Sequence, residues 1–119
     1  MKQNGWLNNL SQTLFNRVIK LKKQKAIQVA LPSIYTGTWR FTDELSKRKH
    51  YLEITPDLHI LIDHRELAGQ VQILTEKELV FLDGYGYQLR IDAVDGQPIS
   101  VYDEADNRVY ELEIVSIKK

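Results

Sequence analysis

Two periods divide the chain. Leu7, Leu10, Leu14, Val18 and Leu21 recur at steps of three and four. At about 100° per residue they share one narrow stripe, the mark of an amphipathic helix. Lys20 and Lys23 fall on the far side, and Arg17 and Lys22 flank the stripe. Lys25 falls back on the apolar line. The spacing therefore predicts a helix over about residues 5–24, roughly 30 Å long. Pro32 is expected to end the helical region and begin the next domain, because proline donates no N–H and fixes its φ.

After Pro32 the period shortens to two. Trp39 and Phe41 alternate with Arg40 and Thr42; His50, Leu52 and Ile54 alternate with Tyr51, Glu53 and Thr55. Such alternation predicts half-buried strands. Thr55-Pro56-Asp57 reads as a turn, and Leu58, Ile60 and Ile62 follow it. Leu67, Val71 and Ile73 make the next strand, with Gly69 marking a bulge or bend inside it. Beyond lie Leu79 and Phe81, then Tyr87, Leu89 and Ile91, then Ile99 and Val101, then Tyr110, Leu112 and Ile114. Asp83-Gly84, Asp95-Gly96 and Asp106-Asn107 supply the turns, Asp95-Gly96 being a hairpin signal.

Eight short strands with no helix between them leave no room for parallel crossovers. The expected fold is all-β: a small eight-stranded antiparallel meander barrel over residues 32–119, preceded by one amphipathic helix and linker over 1–31. An open two-sheet sandwich is the alternative. Eight strands enclose either packed side chains or one small ligand. Gly37-Thr38-Trp39 at the start of the first strand resembles the G-x-W of lipocalins and related calycin barrels. In that group the tryptophan packs near the closed end, often against an arginine of the last strand. Arg108 is on the last strand here, at the opposite end by strand direction. The whole chain also resembles a family of small Gram-positive bacterial proteins known only as a domain of unknown function, which implies no activity.

A meander fixes which end each strand points to. Extending the inward parity to the end of the first strand gathers Asp43, Arg48, His50, His64, Asp83, Tyr87, Asp103, Arg108 and Tyr110. The opposite end gathers Gly37, Ile54, Leu58, Ile73, Leu79, Ile91, Ile99 and Ile114. One end is expected to be apolar and closed, the other a polar mouth over an apolar floor, the usual form of a ligand site. Leu61, Leu74, Val80 and Leu82 are expected to face outward as a patch that needs a cover: the N-terminal helix or a dimer partner.

Charge changes the picture of the arm. The formal net charge of the 119 residues is zero. Residues 1–31 nonetheless hold six basic residues and no acid, whereas residues 32–119 hold 10 basic and 16 acidic residues, a net −6. The basic helix has three readings: packing on the β domain, lying on an anionic membrane, or serving as a targeting segment. On the membrane reading Trp6, Leu7, Leu10 and Leu14 enter the interface, and Arg17, Lys20 and Lys23 meet phosphates.

Candidate chemistry is sparse. With no cysteine there is no disulfide and no thiolate site. No apolar run reaches the length of a spanning helix, and polar residues interrupt any signal-peptide core. His59 and His64 fall on opposite faces of a strand, so no metal site is expected. Ser46, Ser100 and Ser116 lack an adjacent base and orienter, so no hydrolase triad is indicated. The acidic β domain disfavours nucleic acid. The reading is a non-catalytic module with no cofactor, cytoplasmic or peripheral at the inner face of the membrane. It binds a small molecule or peptide at Arg48, His50, His64, Asp83, Tyr87, Asp103, Arg108 and Tyr110. The alternative is an interaction protein tethered by its arm to a membrane or partner. Oligomeric state is left open.

Overall fold

The computed structural model describes residues 30–116. The expected N-terminal helix, with Trp6, Leu7, Leu10, Leu14, Arg17, Lys20 and Lys23, lies outside the described residues. Helix α1 covers 30–35. Ten strands follow: β1 Gly37–Thr42, β2 Lys49–Ile54, β3 Ile60–Ile62, β4 Arg65–Glu66, β5 Gly69–Leu74, β6 Glu78–Asp83, β7 Gln88–Val94, β8 Gln97–Asp103, β9 Arg108–Glu111 and β10 Glu113–Ser116. They form two five-stranded sheets, ordered β10-β1-β2-β3-β4 and β5-β6-β7-β8-β9, with every pairing antiparallel.

The fold is therefore not the closed eight-stranded barrel expected from the spacing, although the meander order is kept. Two of the eight expected strands are each broken in two. The fourth breaks after Leu67, whose N–H donates to the Ile60 carbonyl at 2.8 Å in the first sheet. The next carbonyl, of Ala68, accepts from the Gly84 N–H at 3.0 Å in the second sheet. The eighth breaks at Leu112, whose N–H donates to Ile99 at 3.0 Å before Glu113 pairs with Arg40. At both places the chain passes from one sheet to the other, and no ladder bridges the gap. The open two-sheet alternative is what forms.

Alternation holds through most of the core. In β1, Gly37, Trp39 and Phe41 are buried and the residues between them half-buried; Leu52, Ile54, Ile60, Leu79, Phe81, Leu89, Ile91 and Val101 are buried. Three of the eight inward positions expected at the apolar end fail. In β5 the register skips Gln72, so Ile73 stands opposite Val80 and is 43% exposed, while Leu74 turns in against the core. In β8 it skips Ile99, which is 46% exposed, and Pro98 takes the buried position opposite Ala93. A bulge tolerates a proline because no ladder N–H is required there. Ile114, beyond the break at Leu112, is 53% exposed.

These shifts also dissolve the expected outward patch. Leu74 belongs to the core, and Leu61 is on the other sheet from Leu82. Nor does Pro32 end a helix, for it lies within α1. Proline loses only its own N–H there, and its carbonyl still accepts the Thr36 hydroxyl at 2.8 Å. The fully buried Tyr35 of α1 packs with Ile54, Leu79 and Ile91 in the core. Its hydroxyl donates to the Thr75 carbonyl at 2.7 Å, at the β5–β6 turn. Tyr35 thus anchors α1 to the core and to the β5–β6 turn.

Candidate polar end

At the end of β1 away from α1, the β1–β2 and β8–β9 connections bring Asp43 and Asp106 beside the ends of the strands. Between the sheets lies a cavity of about 170 Å³. Its floor is Phe41, Ile62, Leu89 and Val101, and its rim carries Asp43, His50, Asp103, Asp106 and Tyr110. A row of rings crosses it. The His50 imidazole stacks on Phe41 with centroids 5.4 Å apart, and Phe41 meets Tyr110 at 5.1 Å. Phe41 is on β1 and Tyr110 on β9, so this contact spans the gap where no ladder joins the sheets. Arg108 Nη1 bridges the same gap to Asp43 Oδ1 at 3.6 Å.

The carboxylates at this end are unlike one another. Asp43 accepts the Leu45 N–H at 2.9 Å; that bond first, then Ser46 and the Arg108 charge, hold its carboxyl below the usual range. Asp103 is pushed up, first by burial and then by the negative charge of Asp106. Burial, followed by the Asp106 and Asp43 carboxylates, likewise raises the Tyr110 hydroxyl. Burial pushes the Asp63 carboxyl up, but the His50 imidazole and the Tyr51 N–H outweigh it and hold it low. Negative charge at the rim is thus costly where Asp103, Asp106 and Tyr110 converge.

The expected mouth is only partly assembled. His50, Asp103 and Tyr110 line the cavity, together with Asp43. Arg108 points along the outer side of the gap, where it lines an open depression of about 680 Å³ with Thr42, Glu44 and Leu45. That depression is the larger of the two, but its walls are mostly exposed and it lacks an apolar floor. Arg48 is exposed, in the β1–β2 loop. His64 sits with Asp63 in a tight β3–β4 turn, both at positive φ (68° and 51°), and is exposed. Asp83 caps its own turn, Oδ1 accepting the Tyr85 and Tyr87 N–H groups, both at 2.9 Å. Tyr87 is 47% exposed. These four residues do not line the cavity. Parity fails for Arg48, His64 and Tyr87 because turn residues do not alternate, and the carboxylate of Asp83, the last residue of β6, is taken up by its own turn.

Sequence reasoning missed two participants. Asp106 was readable only as a turn former, yet the β8–β9 turn carries it back over the cavity. Asp63 fixes His50, with Oδ2 2.6 Å from Nδ1, and its only signal was its place before an unrecognised turn. Among the described residues no group of three or more His, Cys, Asp or Glu is placed to hold a metal ion. None of their helices is long and apolar enough to cross a membrane.

No curated protein and no solved structure matches the chain. One family, described as a domain of unknown function (DUF4828), matches residues 34–112, from the end of α1 through the break at Leu112. The chain belongs to that family.

Proposed function

We propose that the chain is a non-catalytic binding module that seats a small cationic group in the cavity between Asp43, Asp103 and Tyr110. The observation that carries this reading is the convergence of Asp103 and Asp106 above an apolar floor. An arriving cation offsets the burial, and then the Asp106 repulsion, that raise Asp103, while the floor of Phe41, Ile62, Leu89 and Val101 takes the apolar part of the ligand. Drug-sized ligands need about 300–1,000 Å³. A cavity of about 170 Å³ suits one side chain of a peptide or a small amine. His50 is held to Asp63 and Arg108 to Asp43, so neither competes as a free cation.

The test is an NMR titration with benzylamine, benzyl alcohol and benzoate. Benzylamine is expected to shift Asp103, Asp106 and Tyr110 saturably, the alcohol weakly and benzoate not at all. Asp103→Asn should remove the preference for the amine. Equal shifts from all three probes, or saturable shifts away from this cavity, would reject the reading.

A further inference from the structure

The edge of β5 offers a second site, independent of the Asp103 cavity. Antiparallel ladders alternate between pairs that exchange backbone bonds and pairs whose N–H and C=O turn away. The bond from Gly84 N–H to the Ala68 carbonyl sets that phase. Gln70 and Leu82 form a bonded pair, whereas Gly69 opposite Asp83 and Val71 opposite Phe81 direct their backbone groups away from β6. No strand among the described residues pairs with β5 on that side. Gly69 and Val71 instead line a groove of about 560 Å³ floored by Leu58, Ile60, Leu67 and Phe81.

Edge strands are normally guarded by charge, proline or shortness. β4 is two charged residues, β9 begins with Arg108 and ends with Glu111, and β10 begins with Glu113. From Leu67 to Thr75 there is no charge and no proline. The Gln72 bulge bends β5 only beyond Val71, leaving Gly69–Val71 as the accessible reach. On the groove's rim His59 Nε2 lies 3.3 Å from Asp57 Oδ2, and His59 Nδ1 bonds to Glu66. Two carboxylates thus flank one imidazole on the rim, and they hold its pKa above the ordinary value, first through the bond to Glu66 and then through the Asp57 charge.

We infer that this edge takes an extended peptide segment in which apolar and basic residues alternate. The segment adds a strand to β5 through Gly69 and Val71, the mode in which main-chain bonds give affinity and alternate side chains give specificity. One apolar side chain fills the groove over Leu58 and Phe81, and basic neighbours meet Asp57 and Glu66. The net −6 of residues 32–119 favours a basic segment over a second copy of the same acidic domain.

The experiment is an amide NMR titration of the full chain with the peptide acetyl-Val-Lys-Val-Lys-Val-Lys-amide, and with its Val-Glu counterpart. The basic peptide is expected to shift Leu58, Gly69 and Val71 and to slow amide exchange at Gly69 and Val71. The acidic one should do neither. Val71→Pro removes an N–H that faces the groove and not β6, and should weaken binding about tenfold. Glu66→Lys, on the exposed rim, should weaken it several-fold, and it decides the matter if the proline variant does not fold. Shifts confined to the Asp103 cavity, equal binding of both peptides, or full affinity in a folded Val71→Pro would overturn the inference. So would protection of Gly69 and Val71 that rises with protein concentration alone, which would assign the edge to a second copy.

Discussion

His50 Nδ1 lies 2.6 Å from Asp63 Oδ2, across thirteen positions of chain. The other oxygen of Asp63 accepts the Tyr51 N–H at 2.9 Å, and its own N–H donates to the Tyr51 carbonyl at 2.9 Å. One residue past the end of β3 thus extends the β2–β3 pairing and holds the imidazole against Phe41. Asp63→Ala is expected to cost about 1 kcal/mol, since the pair is partly exposed and screened. The folded carboxyl titrates below its ordinary value of 3.8. Its contribution is therefore present above that value and is lost as pH falls through the folded value. Urea denaturation at neutral pH and at pH 3 should show the wild type losing more stability on acidification than Asp63→Asn. An equal loss would mean that Asp63 is not held low.

Asp103 has the opposite sign. Its carboxyl is raised, so the folded state binds its proton more tightly than the unfolded chain does. Stability then falls as pH rises from about 3.8 through the folded value, and the penalty is complete above it. Asp103→Asn keeps an oxygen for the Ala105 N–H, which Asp103 Oδ1 accepts at 3.0 Å. It should raise Tm at neutral pH by about 1–3 °C, while reducing benzylamine binding. A gain in stability with a loss of binding is the usual exchange at a functional site. A variant that is both less stable and unable to bind would mean that Asp103 is structural.

Much of the β architecture was readable, because half-buried strands impose a period of two. Trp39, Phe41, Leu52, Ile54, Leu79 and Ile91 all follow it. Bulges were not readable: Gln72 and Ile99 carry no mark that separates them from ladder residues, and each shifts its neighbours to the other face. Gly69 did signal a bend, and the chain changes sheets beside it. No residue type announced the break at Leu112. At the polar end, strand-borne His50, Asp103 and Tyr110 were placed by parity. Arg48, His64 and Tyr87 were not, because loop and turn geometry decides where they lie, and Asp83 at the end of β6 is engaged by its own turn.

Tyr35 ties α1 to the far end of the second sheet. Its hydroxyl donates to the Thr75 carbonyl at 2.7 Å, and Thr75 N–H closes the β5–β6 turn by bonding Glu78 at 2.9 Å. Tyr35→Phe leaves that carbonyl unpaired and should cost about 1–2 kcal/mol in urea denaturation. Burial, then Glu78 and Asp92, pushes the phenol up to about 12. The folded state holds the proton longer, so stability falls as pH rises from 10 towards 12. The variant should lack that alkaline decline. Wild-type stability that is flat from pH 10 to 12 would contradict the assignment.

Gly69 stands where the chain enters the second sheet, and its backbone leaves no space beside β6. A Cβ there would lie 2.2 Å from the Leu82 carbonyl oxygen, 2.7 Å from Phe81 Cζ and 2.9 Å from Asp83 Cα. Two of those atoms are backbone and cannot rotate away, and Phe81 is a buried core ring. The φ of +149° adds strain for any L side chain. Gly69→Ala should therefore destabilise by about 3 kcal/mol or more, the range of overpacking combined with backbone strain. Gly84 is the control: it lies across the same hairpin, and its added Cβ would meet only the Ala68 oxygen, at 3.9 Å. Gly84→Ala should stay within about 1 kcal/mol of wild type. If the two variants unfold at the same urea concentration, β5 does not approach β6 as closely as the sheet register requires.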